Sequence, residues 1–198
     1  GDLLQPEAEA GDIRFVDTNK DGLINSDDIT DIGSPWPKHI LGLAVNARYK
    51  NFDFSTVFAS QIGHEIFRAY ERSDITFTNY QEFWLDRWTE ENPSELYPRL
   101  VSNDRNNNQR PSDFYVDEAS FLRLRNLQIG YNLPETFLNK AKINSLRIYF
   151  TANNLFTITK YKGFDPDIGT NDWILDTGID KGYYPINKSI GGGLTLTF

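Results

Sequence analysis

The chain contains no cysteine, which excludes disulfides, thiol nucleophiles and cysteine-ligated zinc or iron–sulfur centres. It also lacks methionine and starts at Gly1, so it reads as a segment processed or excised from a longer translation product, and a signal peptide would lie in the part that precedes it. Long apolar runs are missing as well. The longest aliphatic stretch, residues 40–45, falls far below the ~20 residues of a spanning helix. Helical membrane spans are therefore excluded, while spanning strands, which need only ~9 to 11 alternating residues, are not. Nor is there a basic surplus. The net charge of -8 argues against nucleic acid as a partner, since a basic face is its expected footprint. Histidine is scarce, and neither His39 nor His64 has a serine or cysteine partner in recognisable context, so no catalysis is expected. Glu82, Asp86, Glu90 and Glu91 stand beside Arg87 and read as a solvated face instead of acid–base pairs.

What is plentiful is aromatic. Rings make up 14% of the 198 residues, a composition that favours strands and boundaries between water and an apolar phase. The length fits one domain or a piece of a larger one. Acid is concentrated at the start: residues 1–39 carry nine carboxylates against Arg14, Lys20 and Lys38, a local charge of -6, for which a cation is the natural partner. Within this part, Asp17-Thr-Asn19-Lys-Asp21-Gly22-Leu23-Ile-Asn25-Ser-Asp27-Asp28 fits the calcium-loop template of alternating oxygen side chains, glycine at the sixth place and a carboxylate at the twelfth. Calcium takes six to eight oxygens, and ligands so close in sequence converge only if the chain turns sharply, which Gly22 permits. Asp17, Asn19, Asp21 and Asp28 would supply side chains, Leu23 its carbonyl and Asn25 a water-mediated contact. The twelfth residue is Asp, not Glu, and residues 13–15 look extended, so no entering helix is expected. The alternative is a loop of Asx-turns with solvated carboxylates.

From residue 40 onward the pattern has period two. Leu41, Leu43, Val45, Ala47 and Tyr49 share one face. Lys50-Asn51 serves as a tight turn, and the next strand, 52–62, sets Phe52, Phe54 and Phe58 against Asp53, Ser55 and Gln61, making a long hairpin. Residues 63–119 form a long irregular segment with a helical patch, where Phe83, Trp84, Arg87 and Trp88 recur at helix spacing until Asn92-Pro93. Strands follow at 121–132, 146–157 and 189–198, the last two separated by a long loop over 160–187. Short turns thus alternate with long loops, as in outer-membrane barrels. Tyr49, Phe52, Tyr131 and Phe198 fall at one edge, where an aromatic girdle belongs. One strand breaks parity: Leu122 and Leu124 oppose Leu127, Ile129 and Tyr131, which puts Arg123 and Arg125 on the apolar side. A bulge at Arg125-Asn126 restores a single apolar face and turns both arginines inward. A regular strand would instead lift them to headgroup level. The organisation expected is an extracellular loop with the calcium-like motif over 1–39, and the strands and loops of an incomplete barrel over 40–198.

Several motifs in order then resemble one family, the TonB-linked outer-membrane proteins of the SusC/RagA type. They are Gly11-Asp-Ile-Arg-Phe15 running into the Asp17 loop; Phe83-Trp84 with Arg87-Trp88-Thr89; Asn92-Pro93; Tyr97-Pro98-Arg99; the stretch 114–134 from Phe-Tyr-Val-Asp-Glu-Ala to Gly-Tyr-Asn-Leu-Pro; 154–166 from Asn-Leu-Phe to Phe-Asp-Pro; Gly178-Ile-Asp180; and Tyr184-Pro185. The resemblance implies an all-β fold, the C-terminal strands of a large antiparallel transmembrane barrel with long extracellular loops. It also implies TonB-dependent import of oligosaccharides or peptides across the bacterial outer membrane, with a SusD-like surface lipoprotein as partner and TonB engaged through an absent N-terminal part. Gly193, Leu196 and Phe198 resemble the terminal signal read by the barrel-assembly machinery, with Gly191 where a polar residue is usual. Trp84 and Trp88 are candidates for contact with cargo or partner, or anchors that fix a loop. The runner-up is a secreted, calcium-stabilised β-sandwich that binds glycans.

Overall fold

A computed structural model describes residues 4–70, 79–138, 143–169 and 174–198. They fall into two compact units, Gly1–Gly33 with Ala69–Tyr115, and Ser34–Arg68 with Val116–Phe198. The second unit carries the strands. β1 (His39–Tyr49), β2 (Phe52–Ile62), β5 (Phe121–Asn132), β6 (Ser145–Asn153) and β9 (Ser189–Thr197) lie side by side in that order in one antiparallel sheet. The period-two segments become these strands because each has one apolar and one polar row to separate.

The β1–β2 register runs unbroken from His39 opposite Ile62 to Tyr49 opposite Phe52. Lys50 closes the turn with φ of 52°. Between β2 and β5 the register shifts once: Phe58 pairs with Leu124, Val57 with Asn126, and Arg125 is the extra residue. The bulge expected at this point is therefore present. Leu122, Leu124, Leu127, Ile129 and Tyr131 fall opposite Ser60, Phe58, Thr56, Phe54 and Phe52, on one face with Leu41, Leu43, Val45 and Ala47 of β1 and Ile148, Phe150 and Ala152 of β6. The strand expected over 146–157 is interrupted. β6 stops at Asn153, and β7 (Thr157–Thr159) resumes against Phe121–Arg123 of β5. The gap at Asn154, Leu155 and Phe156 faces the bulge: Asn154 N donates to Arg125 O and Leu124 N to Phe156 O. The irregularity of β5 thus passes to its neighbour without orphaning the backbone.

Tyr49, Phe52, Tyr131 and Phe198 end at one edge of the sheet, with the Phe52 and Tyr131 rings 4.7 Å apart. The long connections leave from the other edge. There, β3 (Glu65–Arg68) pairs antiparallel with β4 (Val116–Glu118) and parallel with β8 (Ile179–Asp180). This small sheet lies in segments expected to be irregular. Ile66, Ala119 and Tyr161 form its buried core, and Tyr161 donates from its hydroxyl to Asp180 at 2.6 Å. A short helix, α1 (Glu135–Leu138), starts the β5–β6 connection.

In the first unit the expected helical patch is a 3-10 turn, Glu82–Asp86, and Arg87 is already extended with ψ of 159°. Sequence neighbours Phe83 and Trp84 both pack on Tyr97, at 5.1 and 5.8 Å, whereas an α-helix would send them to different faces. Ring packing overrides the local spacing.

Candidate functional site

The polar face of the large sheet holds its charges in pairs. Asp53 of β2 pairs in register with Gly130 of β5, and Arg147 of β6 reaches across β5 to it, Nε donating to Asp53 Oδ1 at 3.0 Å. Asn132 and Gln128 complete the group through Asp53 Oδ1 at 3.1 Å and Arg147 Nη2 at 3.2 Å. Gly130 makes the crossing possible, because a Cβ there would come within 2.6 Å of both the guanidinium and the carboxylate. The glycine inside a strand was the available cue, but its use was not legible until the register was known.

Higher on the same face, the bulge directs Arg123 and Arg125 to Asp165 and Asp167. Arg123 is 1% exposed, so its charge requires partners. It bonds Asp165, lies 3.4 Å from Asp167 Oδ2 and donates to Thr157 Oγ1 at 2.9 Å. Arg125 pairs with Asp167 at 2.5 Å. Two cations meet two carboxylates, and Asp165 also accepts from the backbone N–H of Asp167 and Ile186. One carboxylate therefore fixes both ends of the loop that follows β7. The sequence reading missed these acids because they stand about forty residues from the arginines.

The first unit contains the calcium-like loop and a polar network beneath it. Asp17 accepts from the N–H of Lys20 and Gly22, Asn19 from Asp21, Asp21 from Leu23 and Asn25 from Asp27. Asp28 accepts from Thr18 at 2.7 Å and Asn25 at 2.9 Å, tying the loop's two ends together. Gly22 has φ of +86°, the left-handed conformation that the sharp turn demands. Leu23 is exposed. The side-chain oxygens thus fold onto their own backbone, and no group of three acidic or histidine side chains among the described residues is drawn together around a metal position. The Asn25 and Thr18 amides, with the Thr18 hydroxyl, hold the Asp28 carboxyl below the usual carboxylate range.

Asp12 and Arg99 link residues 9–13 to 99–108. Arg99 bonds Asp12 at 2.6 Å and Glu9 at 2.5 Å, and Asn108 donates to Asp12 at 2.8 Å. Burial pushes the Asp12 carboxyl up, but the Arg99, Glu9 and Asn108 donors together outweigh it and leave its pKa lowered. Trp84 is 5% exposed, enclosed by Tyr80, Phe83, Tyr97 and Phe114. The remaining surface of Trp84 lines a shallow cleft with Tyr80, Leu85 and Arg87. The Trp88 ring covers Gly11, and the Trp88 backbone N–H donates to Tyr97 O at 3.0 Å. Gly193 and Leu196 lie in β9, where Tyr149 covers Gly193 and Leu196 pairs with Leu146. Phe198 is exposed just beyond the strand. His39 sits exposed at the start of β1, and His64 is buried.

No family model matches the sequence. Individual proteins do. TonB-dependent receptor P26 of Formosa agariphila is 32% identical over 204 residues, covering 99% of this chain and 20% of that protein. TonB-dependent receptor SusC of Bacteroides thetaiotaomicron is 28% identical over 93% of the chain and 17% of its own length. Among solved structures, the RagAB peptide importer in its closed-closed state superposes with a TM-score of 0.68 at 28% identity, over 93% of this chain and 20% of that one. The chain is a segment of the SusC/RagA type. It spans about a fifth of the length of these relatives. The open sheet of this SusC/RagA-type segment is part of a transmembrane barrel wall, with the apolar row on one face and the Asp53, Arg123 and Arg147 row on the other. A free-standing β-sandwich is thereby excluded, since the matching structures are transporter barrels. The relatives are receptors and transporters, not enzymes.

Proposed function

We propose that this segment forms the C-terminal wall of a TonB-dependent importer of oligosaccharides or peptides in the bacterial outer membrane, working with a SusD-like surface lipoprotein. The observation that carries this reading is the segregation of the sheet. The bulge at Arg125 keeps Leu122, Leu124, Leu127, Ile129 and Tyr131 of β5 on one face and both arginines on the other. Arginine on the lipid side costs ~2 to 4 kcal/mol at the bilayer midplane, whereas a water-filled lumen accepts ion pairs such as Asp53 with Arg147. TonB would engage a part of the receptor outside this segment, and the barrel-assembly machinery reads the strand that ends at Phe198.

Sidedness follows from the same reading: the Lys50-Asn51 turn is periplasmic, and the long segments face outward, where partners and lids have room. Cysteine labelling suits a chain without native cysteine. An impermeant maleimide on intact cells should label Asn107→Cys and spare Asn51→Cys; the reverse pattern would invert the topology.

Calcium belongs to the same proposal. Asp17, Asn19, Asp21, Asn25 and Asp28, with the Leu23 carbonyl, offer the all-oxygen donor set of a hard cation. Each carboxylate keeps lone pairs beyond the hydrogen bonds it accepts. Supporting the fit, Gly22 N already bonds Asp17, and Asp28 reaches both ends of the loop. A bound ion would offset local negative charge and hold the loop for the lipoprotein. Metal analysis of the purified receptor should find one calcium ion, lost in the Asp17→Ala plus Asp21→Ala variant together with increased protease sensitivity of the loop. Calcium-free protein with an unchanged loop would refute the assignment.

A further inference from the structure

The apolar face of the large sheet closes differently at its two edges. At the turn edge its rows end in Tyr49, Phe52, Tyr131 and Phe198. At the loop edge they end in His39, Ile62, Lys160 and Lys188. His39 opens β1 on the row of Leu41 and pairs with Ile62. Lys160 follows Ile158 by two residues and Lys188 precedes Ile190 by two, so alternation carries both onto this face. Ile158 belongs there because it pairs with Leu122, and Ile190 because it pairs with Ala152. His39, Lys160 and Lys188 are exposed, and between the two edges these rows carry no charged residue.

Register sets the height of the cations. Ten residues separate His39 from Tyr49, Ile62 from Phe52 and Lys188 from Phe198. A strand rises ~3.3 Å per residue and a barrel strand tilts by about 40°, so ten residues climb roughly 25 Å, the height of the outward apolar band of such barrels. Lys160 stands one residue beyond Thr159, which pairs with Phe121, and Phe121 pairs with Gln61, next to Ile62. It therefore shares the row of Ile62 and His39. On β9 both ends are displaced along the strand: Leu194, four residues before Phe198, is the residue in register with Ile148 and Tyr131. Strand tilt produces that displacement, and it brings Lys188 to the same interface as Lys160.

What lies at this interface follows from the side chains. An aromatic girdle suits any headgroup, since its rings need only an apolar side and a wet side. A lysine lays its stem along the apolar surface and sets its ammonium among the headgroups, where an anionic lipid attracts it. Lys160 and Lys188 have no carboxylate partner among the described residues. The nearby acids of the loop are taken, Asp165 by Arg123, Asp167 by Arg125 and Asp176 by Lys181. The two lysines also stand on neighbouring lines of the sheet, because β7 continues β6 along β5 and β9 pairs with β6. Two unmatched cations side by side above an apolar wall complement a lipid whose headgroup carries phosphate.

We propose that the loop edge of this wall binds a phosphate-bearing glycolipid of the outer leaflet, its acyl chains along Ile158 and Ile190 and its phosphates against Lys160 and Lys188. His39 adds a further polar group along the same rim. The proposal rests on the reading above for which face meets lipid and which edge points outward, and it concerns the membrane around the receptor instead of its cargo.

The test uses the full-length receptor containing this segment, purified in detergent, freed of native lipid by exchange and shown to be folded by heat modifiability. It is incubated with diphosphoryl lipid A, with dephosphorylated lipid A or with phosphatidylglycerol, and bound lipid is counted by native mass spectrometry. Diphosphoryl lipid A should be retained best. Lys160→Gln and Lys188→Gln should each weaken retention about fivefold, the factor for roughly 1 kcal/mol per lysine at an anionic surface. Lys160→Arg and Lys188→Arg should keep it, and Lys20→Gln, in the Asp17 loop, should change nothing. Retention by the Lys160→Gln plus Lys188→Gln variant equal to that of the unaltered receptor refutes the site. Equal retention of dephosphorylated lipid A refutes the phosphate contact, and equal retention of phosphatidylglycerol refutes the glycolipid as the occupant. Uptake by cells with and without TonB is measured in parallel. TonB-dependent uptake beside a failed lipid test leaves the import reading standing, whereas lysine-dependent retention with TonB-independent uptake overturns that reading and leaves the lipid site.

Discussion

Asp12 carries much of the order of the first unit, since one carboxylate receives Arg99, Asn108 and the Glu9 amide. Its pKa is lowered in the folded state from the ordinary 3.8, so folding favours the charged form. The stabilisation is fully present above about pH 3.8 and disappears as pH falls through the lower folded value; Arg99 stays charged throughout, with Asp12 as the first cause of its raised pKa. Protease sensitivity of residues 1–33, followed from about pH 5 to pH 2, should rise over this window in the native receptor. The Asp12→Asn variant should be sensitive already at neutral pH and change less on acidification. None of this was legible from the sequence. Arg99 stands 87 residues from Asp12, and nothing in local spacing marks which carboxylate an arginine will choose.

The strands are the level at which the sequence was most informative. Alternation along 52–62 and 121–132 gave the bounds of β2 and β5, and the parity conflict between Leu124 and Leu127 located the bulge, because a face against lipid tolerates no misplaced arginine. The short pieces β3, β4 and β8 were invisible, as strands of two to four residues carry too little alternation to count. The bulge yields an expectation with an unusual sign. Deleting one residue inside a strand normally flips everything beyond it, yet removing Arg125 leaves Leu124 and Asn126 on the faces they already occupy and loses the ion pair with Asp167 and the backbone bond from Asn154. That deletion should yield folded barrel, less stable by about 1 kcal/mol in denaturant titration. Deleting Gln128 three residues later should abolish the heat-modifiable form. Equal failure of both deletions would mean that the bulge itself, and not the facing of the side chains, is what the strand requires.

Among the described residues, the sheet as a whole has two unpaired edges, the outer sides of β1 and β9. In hydrocarbon each unsatisfied backbone group costs several kcal/mol, so both edges must meet strands that this chain does not supply. Phe198 stands at the end of one of them, exposed beside the edge that carries Tyr49 and Phe52. Removing Phe198 from the full-length receptor should lower the amount of folded barrel in the outer membrane and leave uptake per assembled molecule nearly unchanged. Normal abundance with lost uptake would move this terminus from assembly into transport.

The brace over Gly130 bears on mechanics. Arg147 and Asp53 join β6 to β2 across Gly130, and Asn132 and Gln128 of the strand between them bond to the same group, so three neighbouring strands share a cross-tie in addition to their backbone ladders. Bending the sheet along β5 changes the spacing between β2 and β6. The tie lies on the polar face, so flattening the sheet along β5 must stretch it, which makes this stretch stiffer against flattening than its ladders alone would be.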